Sequence, residues 1–251
     1  MQVGAQLYTL RDFIQNEKDF ARSMEKVAAM GYRVVQISAA GPIAPKTMKD
    51  ICHSNGLKIA LTHTDPNRIL NETDKVIEEH QILDCDYIGI GGMPQKYRDP
   101  VWYPYFAEDF KEPARKLAKA GKLLMYHNHN FEFEKIDGVT ILERIVKDFA
   151  PDELGFTLDT YWIQAGGAEI LSWIEKLEGR LPCVHLKDMS VNGMTPKMAP
   201  VLEGSIDFSK LIPAFEKAGT KYLLVEQDVC EGSPFVCLKK SYDNLSALGY
   251  K

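Results

Sequence analysis

At 251 residues with 45% hydrophobic side chains, the chain is long enough to bury one large core, and single α/β barrels commonly occupy this size. A formal net charge of -5, a pI near 5.7 and the lack of any Lys/Arg stripe argue against nucleic acid as the main partner. No apolar run reaches the length of a membrane span, "MQVGAQLYTL" lacks the basic start and apolar core of a signal peptide, and five scattered cysteines without a CxxC pair suit free thiols, so a soluble cytoplasmic protein is expected.

The first strand is read in "VGAQLYT", with Gln6 and Tyr8 at its end. An amphipathic helix follows, with Phe20, Met24, Val27 and Ala28 at helical spacing, then Gly31 and a second strand ending at Gln36. The same order of helix, glycine and strand recurs in "ICHSNGLKIALTH", which ends at His63, in "ARKLAKAGKLLMYH" and in "AFEKAGTKYLLVEQ". Gly31, Gly56, Gly121 and Gly219 stand where a helix C-terminus needs a residue that tolerates positive φ. Three further strands are read in "CDYIGIGG", "LGFTLD" and "LPCVHLKD", making eight. Eight strands, each followed by a helix, predict an α/β fold: a single (β/α)8 TIM barrel in one domain over residues 1–251. Two long connections, 91–106 and 189–208, leave strand C-termini and are candidate lids.

Barrel enzymes place their chemistry at strand C-termini. Here those ends carry Gln6 and Tyr8, Gln36, His63, the glycine-rich end at Gly91, the stretch "HNHNFE", Asp159, His185 with Lys187, and Glu226. Asp159 and His185 are 26 residues apart, about one βα unit, so they belong to neighbouring strands, and Glu226 comes one unit later. A lone strand histidine is more often packed than ligating, but His185 converging with Asp159, Glu226 and a ligand from "HNHNFE" makes a mixed N/O metal site. Such a set suits Mn²⁺, Mg²⁺, Co²⁺ or Zn²⁺, and its oxygen donors put manganese first. Lys187, two residues beyond His185, would share its face and neutralise charge or hold a substrate oxygen. His53 and His80 lie in helical segments and are expected only to pack.

The stretches "QLYTLRD", "YHNHNFEF", "LDTYWIQAGG", "GRLPCVHLKDM" and "VEQD" resemble the sugar phosphate isomerase/epimerase group of the xylose-isomerase-like TIM barrels, and the tail "SPFVCLKKSYDNLSALGY" fits its closing helix. The resemblance implies a divalent ion, commonly manganese, held by a Glu, Asp, His, Glu set. Asp159, His185 and Glu226 match three of these. The first glutamate belongs to a Glu-Asn-His triplet in many relatives; here the triplet is His127, Asn128, His129, with Glu132 beyond it. Either Glu132 curls back as the fourth ligand, the favoured reading, or His127 takes that place with Glu132 in support. The chain also departs from the group at Gln36, where relatives often carry glutamate, and at Leu202, where a glycine often precedes the Glu-Gly pair.

The activity implied is proton removal next to the carbonyl of a ketose or keto-sugar through an enediolate, with Glu132 and Glu226 as acid/base pair. Proton return to the other face would give epimerisation, return to the neighbouring carbon isomerisation, and loss of a β-substituent from the same intermediate an inosose-dehydratase-like elimination. Under the favoured reading His127, His129, Lys187, Gln6, Tyr8, His63 and Trp162 contact the sugar, with Tyr8, Trp102, Tyr103, Tyr161 and Trp162 available for stacking. The group also carries the expectation of a homodimer or tetramer. Two rivals are the metal-bearing subunit of a carbon-glycoside-cleaving complex with a small β-rich partner, and a non-catalytic sugar-binding barrel. No glycine-rich phosphate cradle is visible.

Overall fold

Strands rich in Val, Ile and Leu alternate with amphipathic helices, and both strand faces are buried here because the sheet closes on itself inside the helices. The computed structural model describes residues 1–251. Eight strands form the barrel: β1 Gln2–Gln6, β2 Val34–Ile37, β3 Lys58–His63, β4 Tyr87–Ile90, β5 Leu123–His127, β6 Leu154–Asp159, β7 Cys183–Leu186 and β8 Tyr222–Val225. They pair in sequence order, all parallel, and β8 closes onto β1 through pairs such as Gly4 with Leu224. At least one helix follows every strand, from Glu17–Met30 after β1 to Pro234–Ala247 after β8. Gly31, Gly56, Gly121 and Gly219 all adopt positive φ at helix ends, as their spacing requires. No helix is long and apolar enough to cross a membrane.

A cluster of 57 buried apolar residues fills the space between barrel and helices. A separate cluster includes Val34, Leu61, Met125, Cys183 and Leu224. Each of these five lies two residues before a polar strand-end residue: Gln36, His63, His127, His185 and Glu226. Strand side chains repeat their direction every second residue, so the polar ring is stacked directly on an apolar layer inside the barrel. Glycine makes room for that layer: a Cβ on Gly155 would lie 2.6 Å from Met125 Sδ, and one on Gly4 2.7 Å from a methyl of Leu224.

The connection after β7 is built rather than loose. Asp188–Asn192 and Thr195–Ala199 form an antiparallel hairpin. Asp188 is buried and accepts the backbone N–H groups of Met189, Leu202, Gly204 and Ile206 at 2.7–3.2 Å. Leu202 takes φ 71°, a left-handed conformation, which explains why glycine suits that position in similar chains. Asp188→Ala should leave four backbone donors without their acceptor and cost about 3 kcal/mol. Limited proteolysis should then cut first within 189–206; a first cut in a barrel helix would show that Asp188 does not hold this segment.

Candidate metal centre

Four strand ends bring one donor atom each to a common point. His127 ends β5, Asp159 ends β6, His185 lies in β7 and Glu226 immediately follows β8; their candidate ligand atoms all lie within 4.8 Å of one another, and all four residues are buried. Register sets this up, since Asp159 pairs with His185, and Thr157, two residues before Asp159, pairs with His127.

Each side chain is fixed from outside the cluster. His127 Nδ1 donates to the Gly91 carbonyl at 2.9 Å, so its Nε2 lone pair faces Asp159 Oδ2 at 3.1 Å. His185 Nε2 lies 2.7 Å from Gln36 Oε1, which turns its Nδ1 lone pair toward Glu226 Oε2 at 3.0 Å. Asp159 Oδ1 accepts the Trp162 N–H, and the Asp159 N–H donates to Asn128 Oδ1, both at 3.0 Å. Gln6 donates to Glu226 Oε1 at 2.6 Å and accepts the Tyr8 N–H. Buried His185 Nδ1 has no neutral hydrogen-bond partner, and buried Glu226 Oε2 meets only that nitrogen and the Lys187 ammonium. Nitrogen lone pairs aimed at carboxylate oxygens repel unless a positive charge lies between them. Two imidazoles with outward-tied protons and two carboxylates therefore fit a divalent cation.

The ionisation pattern follows from the same contacts. Burial pushes the carboxyls of Asp159 and Glu226 up, but Lys187 and the imidazoles outweigh it and hold both well below the usual carboxylate range. Burial pushes His185 down, yet Glu226 and Asp159 leave it raised; burial and His185 leave His127 lowered. Lys187 Nζ lies 3.1 Å from Asp159 Oδ2, 2.9 Å from Glu226 Oε2 and 3.0 Å from Asp228 Oδ1. Despite complete burial, these three anions raise its pKa, so it stays an ammonium. Three carboxylates against one ammonium leave a formal excess of two negative charges.

Glu132 is elsewhere. It sits in the 3-10 turn Phe131–Phe133 beyond β5, fully buried, with Oε1 accepting the Tyr126 hydroxyl at 2.7 Å and Oε2 the His129 N–H at 2.8 Å. It is outside the four-residue group, where His127 stands instead. The turn ends the strand's alternation and carries the Glu132 side chain away from that group. Burial raises its carboxyl to about 7 against those hydrogen bonds.

A cavity of about 420 Å³ opens over the cluster, lined by Tyr8, His63, His129, Trp162, Lys187 and Asp228 with His127 and Glu226. Gln6 orients Glu226 rather than lining it. Trp102 is exposed against Tyr105, and Tyr103 is buried with its hydroxyl 3.3 Å from Asp148, so neither faces this cavity. The glycine-rich end of β4 accommodates imidazoles: a Cβ on Gly91 would lie 3.0 Å from His63 Nδ1, and one on Gly92 3.0 Å from His129 Cε1. Two lining residues escaped the sequence reading, Ser38 and Asp228; the second could have been found, since it follows Glu226 by one strand period.

The model of the xylose isomerase-like TIM barrel family matches residues 24–233, most of the chain and nearly all of the barrel. The chain belongs to this family. It is 23% identical to an inosose dehydratase of Mesomycoplasma hyopneumoniae, over 91% of this chain and 88% of that protein. Among solved structures it is similar to a sugar phosphate isomerase/epimerase from Parabacteroides distasonis (TM-score 0.80, 22% identity, 98% of this chain and 93% of that one). It is also similar to an L-ribulose 3-epimerase (TM-score 0.74, 15% identity, 98% and 94% coverage). At these identities the structural matches speak for the fold.

Glu132 gives a pH signature. Its folded pKa, about 7, is raised above an ordinary value of 4.5, so its contribution is complete below pH 4.5 and is lost as pH rises through 7. Against Glu132→Gln, wild type should lose up to about 3 kcal/mol between pH 4.5 and 8 in thermal melts of metal-free protein. A difference that stays constant with pH would refute a carboxyl held near neutrality.

Proposed function

We propose that this chain is a divalent-metal-dependent enzyme that moves a proton on the carbon beside the carbonyl of a ketose or keto-sugar, as an isomerase or epimerase. The observation that carries this reading is the pair of imidazole lone pairs facing Asp159 and Glu226 at the floor of a sugar-sized cavity. His127, Asp159, His185 and Glu226 would hold the ion, with Mn²⁺ ahead of Mg²⁺, Co²⁺ and Zn²⁺ for a set with two carboxylates. When bound, such an ion supplies Lewis-acid charge that polarises the carbonyl and acidifies the neighbouring C–H.

The chain's own groups do the rest. Glu132 has both oxygens engaged away from the cavity, so it positions the turn bearing His129 and leaves proton transfer to others. Asp228 lines the cavity with its carboxylate against Lys187 and accepts the substrate proton. Lys187, held as an ammonium with its three N–H groups toward Asp159, Glu226 and Asp228, offsets the negative charge that develops on the substrate. Trp162 and Tyr8 form walls for sugar C–H faces. Because Lys187 is already shared by three carboxylates, the cavity favours an unphosphorylated sugar. A second reading, a dehydratase, is favoured by the inosose dehydratase relative that spans 91% of the chain. Its first step is the same proton removal, followed by loss of a β-hydroxyl.

Metal analysis should find about one ion per chain in wild type, reduced at least tenfold in affinity by Asp159→Ala. Incubation in D₂O with ketoses, inososes and 3-keto-glucosides, followed by NMR, should show exchange of the proton beside the carbonyl. Asp228→Asn should slow that exchange roughly 10²- to 10⁴-fold while retaining the ion. Stoichiometric metal in Asp159→Ala would sink the ligand assignment, and metal-loaded wild type exchanging no substrate would sink the proton transfer. Loss of water from an inosose would select the dehydratase.

A further inference from the structure

The wall of the cavity opposite Lys187 carries an imidazole that the mechanism above does not use. His63 ends β3, and its Nδ1 lies 3.0 Å from Ser38 Oγ, just beyond β2. Its Nε2 is buried and has no partner among the side chains or backbone around it. A buried ring nitrogen left unpaired beside a polar cavity calls for an explanation in ligand binding.

We infer that His63 donates a hydrogen bond from Nε2 to a substrate oxygen, in a tautomer set by Ser38. This rests on the ketose reading given above. Ser38 is buried and its hydroxyl makes no hydrogen bond except to His63, so in this tautomer the hydroxyl gives its proton to the lone pair on Nδ1. A neutral imidazole has one ring proton, and with Nδ1 accepting, that proton resides on Nε2. The ring cannot turn freely: a Cβ on Gly89 would lie 3.0 Å from His63 Cδ2, and one on Gly91 3.0 Å from Nδ1, so the β4 backbone packs directly against it. Its centroid is 5.4 Å from that of His127 and 5.7 Å from that of His185. The ring therefore stands beside the four-residue group, on the wall of the cavity that would hold the sugar. His63 then supplies a donor to the cavity, while Asp228 supplies an acceptor.

Long-range ¹H–¹⁵N spectra of ¹⁵N-histidine-labelled protein loaded with diamagnetic Mg²⁺ test the tautomer directly, with His63→Gln identifying the resonances and Ser38→Ala providing a second handle. A protonated Nε2 and an unprotonated Nδ1 are expected in wild type, with Ser38→Ala moving the population toward the other tautomer. D-Fructose should shift the His63 Nε2 signal together with the Trp162 indole signal. A protonated Nδ1 in wild type, or a tautomer indifferent to Ser38→Ala, would overturn this inference alone. A shift of the indole without His63 would overturn the contact with substrate. D-Fructose moving neither would count against the ketose reading and, with it, this inference.

Discussion

The site depends on one electrostatic constraint: two imidazole lone pairs and two carboxylate oxygens share a volume a few ångströms across, and only positive charge makes that arrangement stable. Everything around the four residues serves to keep their donor atoms pointed inward. The Gly91 carbonyl and Gln36 Oε1 draw the imidazole protons outward, and the Trp162 N–H and Gln6 occupy one oxygen of each carboxylate. Gln36 has a particular consequence. As a neutral acceptor it fixes the His185 tautomer without adding another negative charge to a centre that already has two in excess.

The barrel makes such convergence cheap. A strand-end side chain needs only the right register to face the axis, and the layer two residues below, with Met125, Cys183 and Leu224, fills the space beneath it with apolar volume. That floor excludes water from the lower side of the site, which strengthens the fields of Lys187 and of the carboxylates. The glycines at positions 4, 89, 91 and 155 belong to the same design, because each leaves room that an opposing side chain occupies.

This layering is why much of the fold and part of the site were legible in the chain. The order of helix, glycine and strand, seen in four copies, marks out the repeating unit, and the polar residue ending every strand but the fourth marks the ring. Asp159, His185 and Glu226 lie on regular strands or one residue past them, where period-two alternation holds. Glu132 was harder to place because a 3-10 turn follows β5, and alternation says nothing about where a turn sends its side chains. The choice between His127 and Glu132 depends on which carbonyl accepts the His127 ring proton, and Gly91, on another strand, advertises no such role in the sequence. Ser38 was hidden for the same reason: a serine at a strand end carries little signal until a histidine is seen against it.

Asp188 stands one residue from Lys187, so a single peptide bond links the anchor of the 188–206 segment to the ammonium that binds three carboxylates. Across related sequences this imposes an uneven freedom to change. The hairpin tip, where Met194 is wholly exposed, can lengthen, shorten or change composition without disturbing the centre. Its base cannot, because a shift at Asp188 would be transmitted to Lys187. Freedom to change is therefore confined to the far end of the hairpin, while its root is tied to the charge balance of the site.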